Sequence, residues 1–161
     1  MGKMSFKFGE VDMKDFAGCI FTNGCFDILH RGHIELFKFC RSQRVYSPVI
    51  VGVNSDKSIR KLKGRNRPIM PEEDRVSLLS AIKYIDCVVI FDTKSVLSLI
   101  EEIKPAILIK GGSYNTKPCA VADQIVGQQF VENYGGKVLT APMVEGASST
   151  NIIERINNVN K

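Results

Sequence analysis

The sequence predicts an α/β protein with one open sheet of five parallel strands, doubly wound by helices on both faces. Five short runs rich in Val and Ile recur along the chain, each strand-length and nearly all apolar, as expected of parallel strands covered on both faces. They lie at 19–22, 48–53, 87–91, 106–110 and 137–141. Segments with helical periodicity separate the runs, and this alternation is typical of a mostly parallel sheet.

Amphipathic stripes predict the helices between these strands. In 33–43, for example, Ile34, Phe37 and Cys40 share one face, and Pro71 stands where a first helical turn tolerates proline. The predicted helices are 33–43, 72–85, 95–103, roughly 123–134 and 150–158. No repeat or linker interrupts the series. We therefore expect a single domain over residues 17–161, preceded by a loosely ordered N-terminal extension over residues 1–16.

Length and composition favour the same conclusion. The 161 residues are 44% hydrophobic and 24% charged, which suits one well-buried globular domain and argues against disorder. The formal net charge of +5 is compatible with an anionic ligand. We find no run long enough to span a membrane and no apolar signal-peptide core near the N-terminus. The five cysteines are scattered without a Cys-x-x-Cys pair, so we expect reduced thiols and a cytoplasmic protein with no membrane partner.

Small and polar residues follow each predicted strand. Because ligands bind at the carboxyl ends of strands in open α/β sheets, these residues indicate one binding edge. The segments are 22–33, 54–56, 91–92, 110–114 and 145–150.

The stretch TNGCFDILHRGH (22–33) contains both histidines of the chain, His30 and His33. It matches neither the dinucleotide fingerprint nor the Walker loop. Gly32 allows close approach to the backbone, and a helix N-terminus offers free N–H groups to a phosphate that both imidazoles can also bind. Two histidines supply only two ligands of a zinc site and nothing else is spaced to complete it, so no metal-ligating residues are predicted.

This stretch resembles the H-x-G-H signature of the nucleotidyltransferase superfamily. The segments 51–91, 107–114 and 144–156 are similar, in the same order, to D-glycero-β-D-manno-heptose-1-phosphate adenylyltransferases. The resemblance covers about residues 17–157 and implies a Rossmann-like sheet. It also implies transfer of AMP from ATP to a sugar 1-phosphate, with release of pyrophosphate. Such transfer requires positioning and charge stabilisation more than a protein nucleophile.

The resemblance also implies roles for individual residues. His30 and His33 would hold the triphosphate and stabilise the transition state, with Lys63 closing on it from a mobile basic lid over 60–68. The remaining nucleotide-binding candidates are residues of the strand-end segments or of the helix that follows the lid. They are Cys25, Phe26, Gly32, Arg75, Lys110, Gly111, Ser148, Ser149 and Thr150. Asp27 and Asn54 would face the sugar phosphate.

Several of these residues also have simpler interpretations. The basic segment 60–68 could be a solvated loop, and Arg75 an ordinary helix arginine paired with a carboxylate. One of the hydroxyls over 148–150 could only cap the last helix. Cys25 lacks an evident base, so it is not expected to be a nucleophile. Ser113 stands where the family usually has Asp, which leaves nucleotide and sugar preference open.

Three other functions are weighed against this one. A cytidylyltransferase for glycerol 3-phosphate or a similar ester is the nearest, although Met143 and Val144 stand where its relatives usually carry an arginine. A basic nucleic-acid-binding module would need aromatic residues among the cations, and 60–68 has none, so nucleic acid is not an expected partner. An idle regulator on the same fold is disfavoured by the intact histidines. The expected partners are ATP with Mg²⁺, a sugar phosphate, a second copy in a homodimer, and a separate sugar kinase.

Overall fold

The computed structural model describes residues 4–93, 95–112 and 125–159 and has an α/β architecture. Its sheet contains six parallel strands in the order β1-β4-β3-β2-β5-β6. The strands are β1 Met4–Lys7, β2 Ile20–Gly24, β3 Val49–Asn54, β4 Cys87–Phe91, β5 Ile107–Gly111 and β6 Lys137–Ala141. The helices are α1 Arg31–Gln43, α2 Asp56–Lys63, α3 Glu72–Ala81, α4 Leu97–Ile103, α5 Gln128–Asn133 and α6 Ser149–Val159. A short 3₁₀ helix spans Met13–Phe16.

The doubly wound sheet is confirmed by two hydrophobic clusters, one on each face. On one face Phe21, Ile50 and Leu108 pack with residues of α4. On the other, Val51 and Ile109 pack with residues of α1 and α3. Burial on both faces explains why the central strands are continuous apolar runs.

The expected count of five strands is corrected to six, because residues 4–7 add an edge strand paired in parallel with β4. This strand alternates half-buried and exposed residues, with Met4 and Phe6 on the covered face. Wholly apolar runs mark the central strands of a sheet, whereas an edge strand with one covered face alternates apolar and polar residues and has no such run. Met13 is completely buried, so the described part of the expected loose extension packs against the sheet.

Helix α2 is a second departure, because the sequence indicated only a basic loop and lid in this region. Only Ser58 and Ile59 of α2 are buried. The helix has eight residues with only two large apolar side chains, Ile59 and Leu62, so its apolar stripe is too short to be told from a charged loop. Its start is set by Ser55, whose Oγ accepts a hydrogen bond from the Ser58 N–H at 3.0 Å.

The order of strands reverses at β2, from which the chain proceeds to β3 on one side and later to β5 on the other. The β2–β3 ladder runs the whole length of β2, as far as Gly24. The β2–β5 ladder contains only two pairs, Ile20 with Ile107 and Phe21 with Leu108. Beyond them the carboxyl ends of β2 and β5 separate, which opens a crevice where an α/β sheet binds its ligands.

The burial of Met13 generates a stability prediction. Met13→Ala is expected to lower the free energy of unfolding by about 2–5 kcal/mol, because it removes a fully buried side chain and leaves a cavity. Urea denaturation followed by circular dichroism measures the change. Tyr46→Ala, at a fully exposed side chain, is the matched control and is expected to be near neutral. Equal, small effects at both positions would contradict the packing of this segment.

Candidate active site

The two histidines form the N-terminal cap of α1. His30 is the N-cap residue with extended backbone angles, and its Nδ1 accepts a hydrogen bond from the Gly32 N–H at 3.1 Å. The His30 N–H donates in turn to Nδ1 of His33 at 3.4 Å, which completes a capping box. The two rings stack with centroids 3.8 Å apart. The close spacing of the histidines therefore has a structural basis in helix capping.

This capping arrangement determines where each imidazole carries its proton. Because both Nδ1 atoms accept hydrogen bonds, the neutral rings carry their proton on Nε2. Burial lowers the pKa of His30. Burial, followed by the charges of His30 and Lys63, lowers the pKa of His33 to about 4. At neutral pH both side chains are therefore uncharged Nε2–H donors.

Phe26 helps to desolvate His33. Its ring meets the His33 ring edge-on, with centroids 5.2 Å apart, and also contacts the Phe37 ring. The backbone of Phe26 has φ of +48°, a left-handed conformation that is strained for a residue with a side chain. Such strain clusters at ligand-binding loops. The tight turn keeps the phenyl ring buried while the loop backbone faces the crevice.

Lys110 lies across the crevice at the end of β5. Its Nζ donates to the side-chain oxygen of Asn23 and lies 3.5 Å from the Asn23 carbonyl oxygen. Burial lowers the pKa of Lys110 to about 8. Asn23 was not singled out from the sequence, although it directly precedes Gly24 at the end of β2. Lys110 therefore bridges the separated ends of β2 and β5 and brings a cation to the crevice floor.

These groups line a cavity of about 370 Å³ between β2, β5, α1 and the segment after β6. Eight of the predicted site residues contribute to its wall. They are Cys25, Phe26, His30, Gly32, His33, Lys110, Gly111 and Ser148. The rest of the lining is largely apolar and includes Leu36, Ala141, Pro142, Met143 and Val144. The polar groups of the cavity suit a polyanion, and its apolar side chains suit a flat apolar group.

The hydroxyls at the start of α6 have different partners. Ser148 lines the cavity, and its Oγ accepts a hydrogen bond from the Asn151 N–H at 3.0 Å. Ser149 donates through Oγ to the Ile28 carbonyl at 3.1 Å, which ties α6 to the histidine loop. Thr150 is exposed and lies outside the cavity wall. Ser148 therefore both caps the helix and faces the cavity.

Arg75 lies behind the cavity wall. Its guanidinium is completely buried and donates to the carbonyl oxygens of Cys25 at 2.7 Å, Asn54 at 2.8 Å and Met70 at 3.1 Å. It also donates to the Asp56 carboxylate at 2.8 Å. Arg75 is therefore a positioning residue: it holds the backbone of Cys25, and Cys25 lines the cavity. Asp56, its carboxylate partner, lies in the predicted strand-end segment 54–56 but was not singled out, because local pattern does not indicate its pairing with Arg75.

Asp27 has a similar bracing geometry. It is 2% exposed and accepts hydrogen bonds from Arg67 Nε at 2.8 Å and from the N–H groups of Ile69 and Met70. Burial opposes ionisation, but these donors outweigh it and lower the pKa of Asp27. Asp27 therefore anchors the segment that returns from α2, and this carboxylate is absent from the cavity wall.

Asn54 also lies outside the cavity wall. Its Nδ2 donates to Ser58 Oγ at 3.0 Å, and Cys25 Sγ lies 3.9 Å from its Oδ1. This amide partner is not a base, which agrees with a passive thiol.

The basic segment 60–68 is partly helical. Lys63 is the last residue of α2, is exposed, and lies near enough to His33 to influence its pKa. Gly64 ends the helix with φ of +90°, and Arg67 pairs with Asp27. Ser113 lies outside the described residues. The segment therefore has a free basic end near the histidines and an anchored end at Asp27.

The cytidylyltransferase-like family model matches residues 21–155, which include every element of this site. The chain belongs to that family. It is a nucleotidyltransferase, since its curated relatives share this domain at about 45% identity. The bifunctional protein HldE of Syntrophotalea carbinolica is 44% identical over 91% of this chain, and that of Geobacter metallireducens is 47% identical over 85%. The chain spans 28% and 26% of those two proteins.

Solved structures agree with the fold. The lipopolysaccharide core biosynthesis protein of Thermoplasma volcanium is 25% identical, with a TM-score of 0.60 over 80% of this chain and 98% of that one. Pantoate-beta-alanine ligase of Francisella tularensis, at 16% identity, has a TM-score of 0.63 over 98% of this chain and 77% of that one. The second likeness concerns the fold alone.

The described residues contain no group of three His, Cys, Asp or Glu side chains arranged to hold a metal ion. No helix in the same ranges has the length and apolar character needed to cross a membrane.

The two histidines allow a direct test of their environment. In a pH titration followed by NMR of the imidazole Cε1–H resonances, we expect His33 to titrate near pH 4 and His30 below its ordinary 6.5. The same chain unfolded in urea is the control, in which both histidines are expected to have a pKa of about 6.5. If both histidines of the folded chain titrated with their ordinary pKa, their assignment as buried neutral donors would be contradicted.

The lowered pKa values also imply a stability change with a definite sign. Because the folded state binds fewer protons than the unfolded state between about pH 6.5 and pH 4, stability falls as the pH is lowered through this window. Allowing for the partial exposure of both rings, we expect a loss of about 1 kcal/mol between pH 7 and pH 5. Urea denaturation at the two pH values measures it, and His33→Ala should reduce the difference.

The close packing of Gly32 against His30 generates a further prediction. A Cβ at this position would lie 2.9 Å from Cε1 and 3.0 Å from Nδ1 of His30. Gly32→Ala is therefore expected to displace the His30 ring, shift both imidazole resonances and weaken the helix cap by about 1 kcal/mol. Gly111→Ala is the control, since its Cβ would meet Leu36 at an ordinary 3.4 Å. Unshifted histidine resonances in Gly32→Ala would contradict this packing.

Proposed function

We propose that this nucleotidyltransferase transfers AMP from ATP to a sugar 1-phosphate, D-glycero-β-D-manno-heptose 1-phosphate, and releases pyrophosphate. The observation that carries the proposal is the pair of neutral Nε2–H donors at the head of a cavity between the separated ends of β2 and β5. The relatives named HldE, and the lipopolysaccharide core biosynthesis protein among the solved structures, support a sugar phosphate as acceptor.

The reaction proceeds by in-line displacement. An oxygen of the sugar phosphate attacks the α-phosphorus of ATP, and the bond from that phosphorus to the β-phosphate oxygen breaks. Pyrophosphate leaves with the bonding electron pair, and no covalent enzyme intermediate forms. We assign no nucleophilic role to Cys25, because the hydrogen-bond acceptor of its thiol is the Asn54 amide oxygen, which is not a base.

The protein's contribution is to stabilise charge on the transferring phosphoryl oxygens. His30 and His33 donate hydrogen bonds from Nε2. Their Nδ1 atoms already accept hydrogen bonds, so each neutral ring is held with its proton on Nε2 and needs no rearrangement to donate. Lys110 provides a cation from the crevice floor, and Lys63 provides one from the end of α2. Negative charge on a bound triphosphate would raise the pKa of both histidines and of Lys110, which strengthens these contacts.

Mg²⁺ is proposed to enter with ATP, as is general for nucleotidyltransferases. The residues of the cavity offer imidazole, lysine and hydroxyl groups rather than clustered carboxylates, so they suit the phosphates and not a protein-built Mg²⁺ cage. When bound, the ion supplies neutralisation of phosphate charge and in-line orientation. His30, His33 and Lys110 would hold phosphate oxygens of the bound nucleotide.

A cytidylyltransferase acting on glycerol 3-phosphate or a similar ester is the second candidate, favoured by the family description itself. The base would lie against Pro142, Met143 and Val144 in either case. These side chains provide apolar contact without a charged group, which suits adenine at least as well as cytosine. We therefore place ATP first.

We further propose that the chain acts as a homodimer in the cytoplasm and receives its sugar phosphate from a separate kinase activity. The kinase suits the chemistry of the acceptor, since phosphorylation of the anomeric hydroxyl yields a sugar 1-phosphate. The relatives are called bifunctional, and the present chain matches about a quarter to a third of their length. The kinase is therefore expected outside residues 1–161.

His33→Ala tests the mechanism. Loss of one transition-state donor is expected to reduce kcat by roughly two orders of magnitude or more, with little change in the fold. Pyrophosphate release with saturating ATP and acceptor measures the rate, and circular dichroism reports the fold. Lys83→Ala, on the exposed surface after α3, is the control. A rate near that of the unaltered chain would overturn the assigned role.

The substrates are tested by a pyrophosphate-release screen of ATP and CTP against heptose, hexose and glycerol phosphates. ATP with the heptose 1-phosphate is expected to give the highest kcat/KM. Preference for CTP with glycerol 3-phosphate would support the second candidate. Salt-dependent oligonucleotide binding without any turnover would instead support a nucleic-acid-binding module.

A further inference from the structure

Asn23 and Lys110 face each other at the point where β2 and β5 separate. The last backbone pair of the two strands joins Phe21 with Leu108, so Asn23 and Lys110 occupy the same register position two residues further on. Here side chains make the contact, because Lys110 Nζ donates to Asn23 Oδ1 and lies 3.5 Å from the Asn23 carbonyl oxygen. Both residues line the cavity of about 370 Å³ that holds the two histidines, the histidine cavity. A side-chain bridge inside the site therefore replaces a backbone pair.

The neighbouring strand β3 makes room for Asn23. Asn23 is the register partner of Gly52, and a Cβ at that glycine would lie 3.2 Å from the Asn23 Cβ. The same Cβ would lie 2.8 Å from the ring of Phe21, which is too close for a real side chain. Asn23 therefore lies between Gly52 on one side and Lys110 on the other, and this packing restricts the position of its amide.

The donors of the Lys110 ammonium are divided between the protein and the cavity. A lysine ammonium has three N–H donors. Asn23 provides two acceptors for them, its side-chain oxygen and its carbonyl oxygen. Within the described ranges Lys110 Nζ has no other hydrogen bond and no ion pair. One donor therefore remains for a ligand in the cavity.

The partner of this desolvated cation is an amide, where a carboxylate would be usual. Buried charges in proteins are generally paired with an opposite charge. The described residues of the cavity wall nevertheless include no Asp or Glu. A carboxylate at position 23 would hold the ammonium and also cancel its charge. The neutral amide holds the ammonium without cancelling the charge, so that charge stays available to a polyanion.

We infer that Asn23 is a positioning residue of the transfer reaction, which holds the Lys110 ammonium at the crevice floor and leaves its charge for the nucleotide phosphates. The inference rests on the proposed function and adds a residue that acts through Lys110 rather than on the substrate. It also gives the separation of β2 and β5 a chemical consequence. A continued backbone ladder would bring the strands to about 4.8 Å and close the space that the bridge occupies.

Asn23→Asp tests the need for a neutral partner, because it keeps the shape of the side chain and adds one negative charge. Since the charge of Lys110 is then cancelled, KM for ATP is expected to rise about tenfold. Pyrophosphate release measures KM, and circular dichroism reports the fold. Asn133→Asp, at the exposed end of α5, adds the same charge away from the cavity and is the matched control, with KM unchanged.

Two variants of Asn23 should move the alkaline limit of the reaction in opposite directions. Burial lowers the pKa of Lys110 to about 8, an effect that Cys25 opposes, so kcat/KM for ATP should fall above about pH 8 in the unaltered chain. Asn23→Asp stabilises the ammonium and should shift this fall to higher pH, whereas Asn23→Ala removes an acceptor and should shift it to lower pH. The other titratable groups on the described wall are Cys25, His30 and His33, and both histidines are neutral in this range. Lys110→Met should abolish the fall, which separates Lys110 from Cys25.

The outcomes distinguish a positioning role from a structural one. A bridge that only stabilises the fold would leave the alkaline limit in place. In a Lys110→Met background, Asn23→Ala should change kcat/KM for ATP less than about twofold, because Asn23 acts through the lysine. Unchanged KM for ATP in Asn23→Asp, or an unmoved alkaline limit in both variants, overturns the inference while the proposed function stands. If the unaltered chain releases no pyrophosphate with any nucleotide and phosphate ester, the proposed function fails, and the role of Asn23 in transfer fails with it.

Discussion

The buried guanidinium of Arg75 is the interaction on which the arrangement of the active edge depends. A fully buried charge is tolerated only when its donors are satisfied, and here three carbonyl oxygens and one carboxylate satisfy them. Those acceptors belong to the histidine loop, the end of β3, the segment before α3 and the start of α2. Removing such a partner from a buried network typically costs about 3–5 kcal/mol. One side chain therefore ties together four segments of the chain beside the histidine cavity.

The histidine pair illustrates how a structural contact can prepare a chemical one. Helix capping uses Nδ1 of both rings, so the opposite nitrogen of each ring is left as a donor. Burial, to which Phe26 contributes at His33, keeps the rings neutral, and neutrality lets them stack at 3.8 Å without charge repulsion. A conventional Ser or Asp cap would stabilise α1 equally well but would leave no donor for a phosphate. The capping motif and the candidate catalytic motif are therefore the same residues.

The central fold was predictable because it depends on local hydrophobic pattern. The strands β2 to β5 are largely buried, and the edge strand β6, although mostly half-buried, still has an apolar run, so local pattern marks all five in the sequence. The edge strand β1 alternates half-buried with exposed residues, and the helix α2 is only eight residues long with two large apolar side chains, so neither has an apolar run long enough to mark it. For the site, the rule that ligands bind at strand ends was enough to bring eight predicted residues to one cavity. It could not tell wall residues from residues behind the wall, such as Asp27, Asn54 and Arg75.

The sequence by itself determined the alternating α/β order, the strand-end position of His30 and His33 and the presence of a glycine between them. Each of these follows from composition and spacing within a few residues. Only the tertiary structure decided that β2 and β5 separate after two pairs, that Arg75 joins four segments, and that residues 4–7 add an edge strand beside β4. These features depend on contacts between residues tens of positions apart, and no local pattern records which distant carbonyl oxygen a buried guanidinium will find.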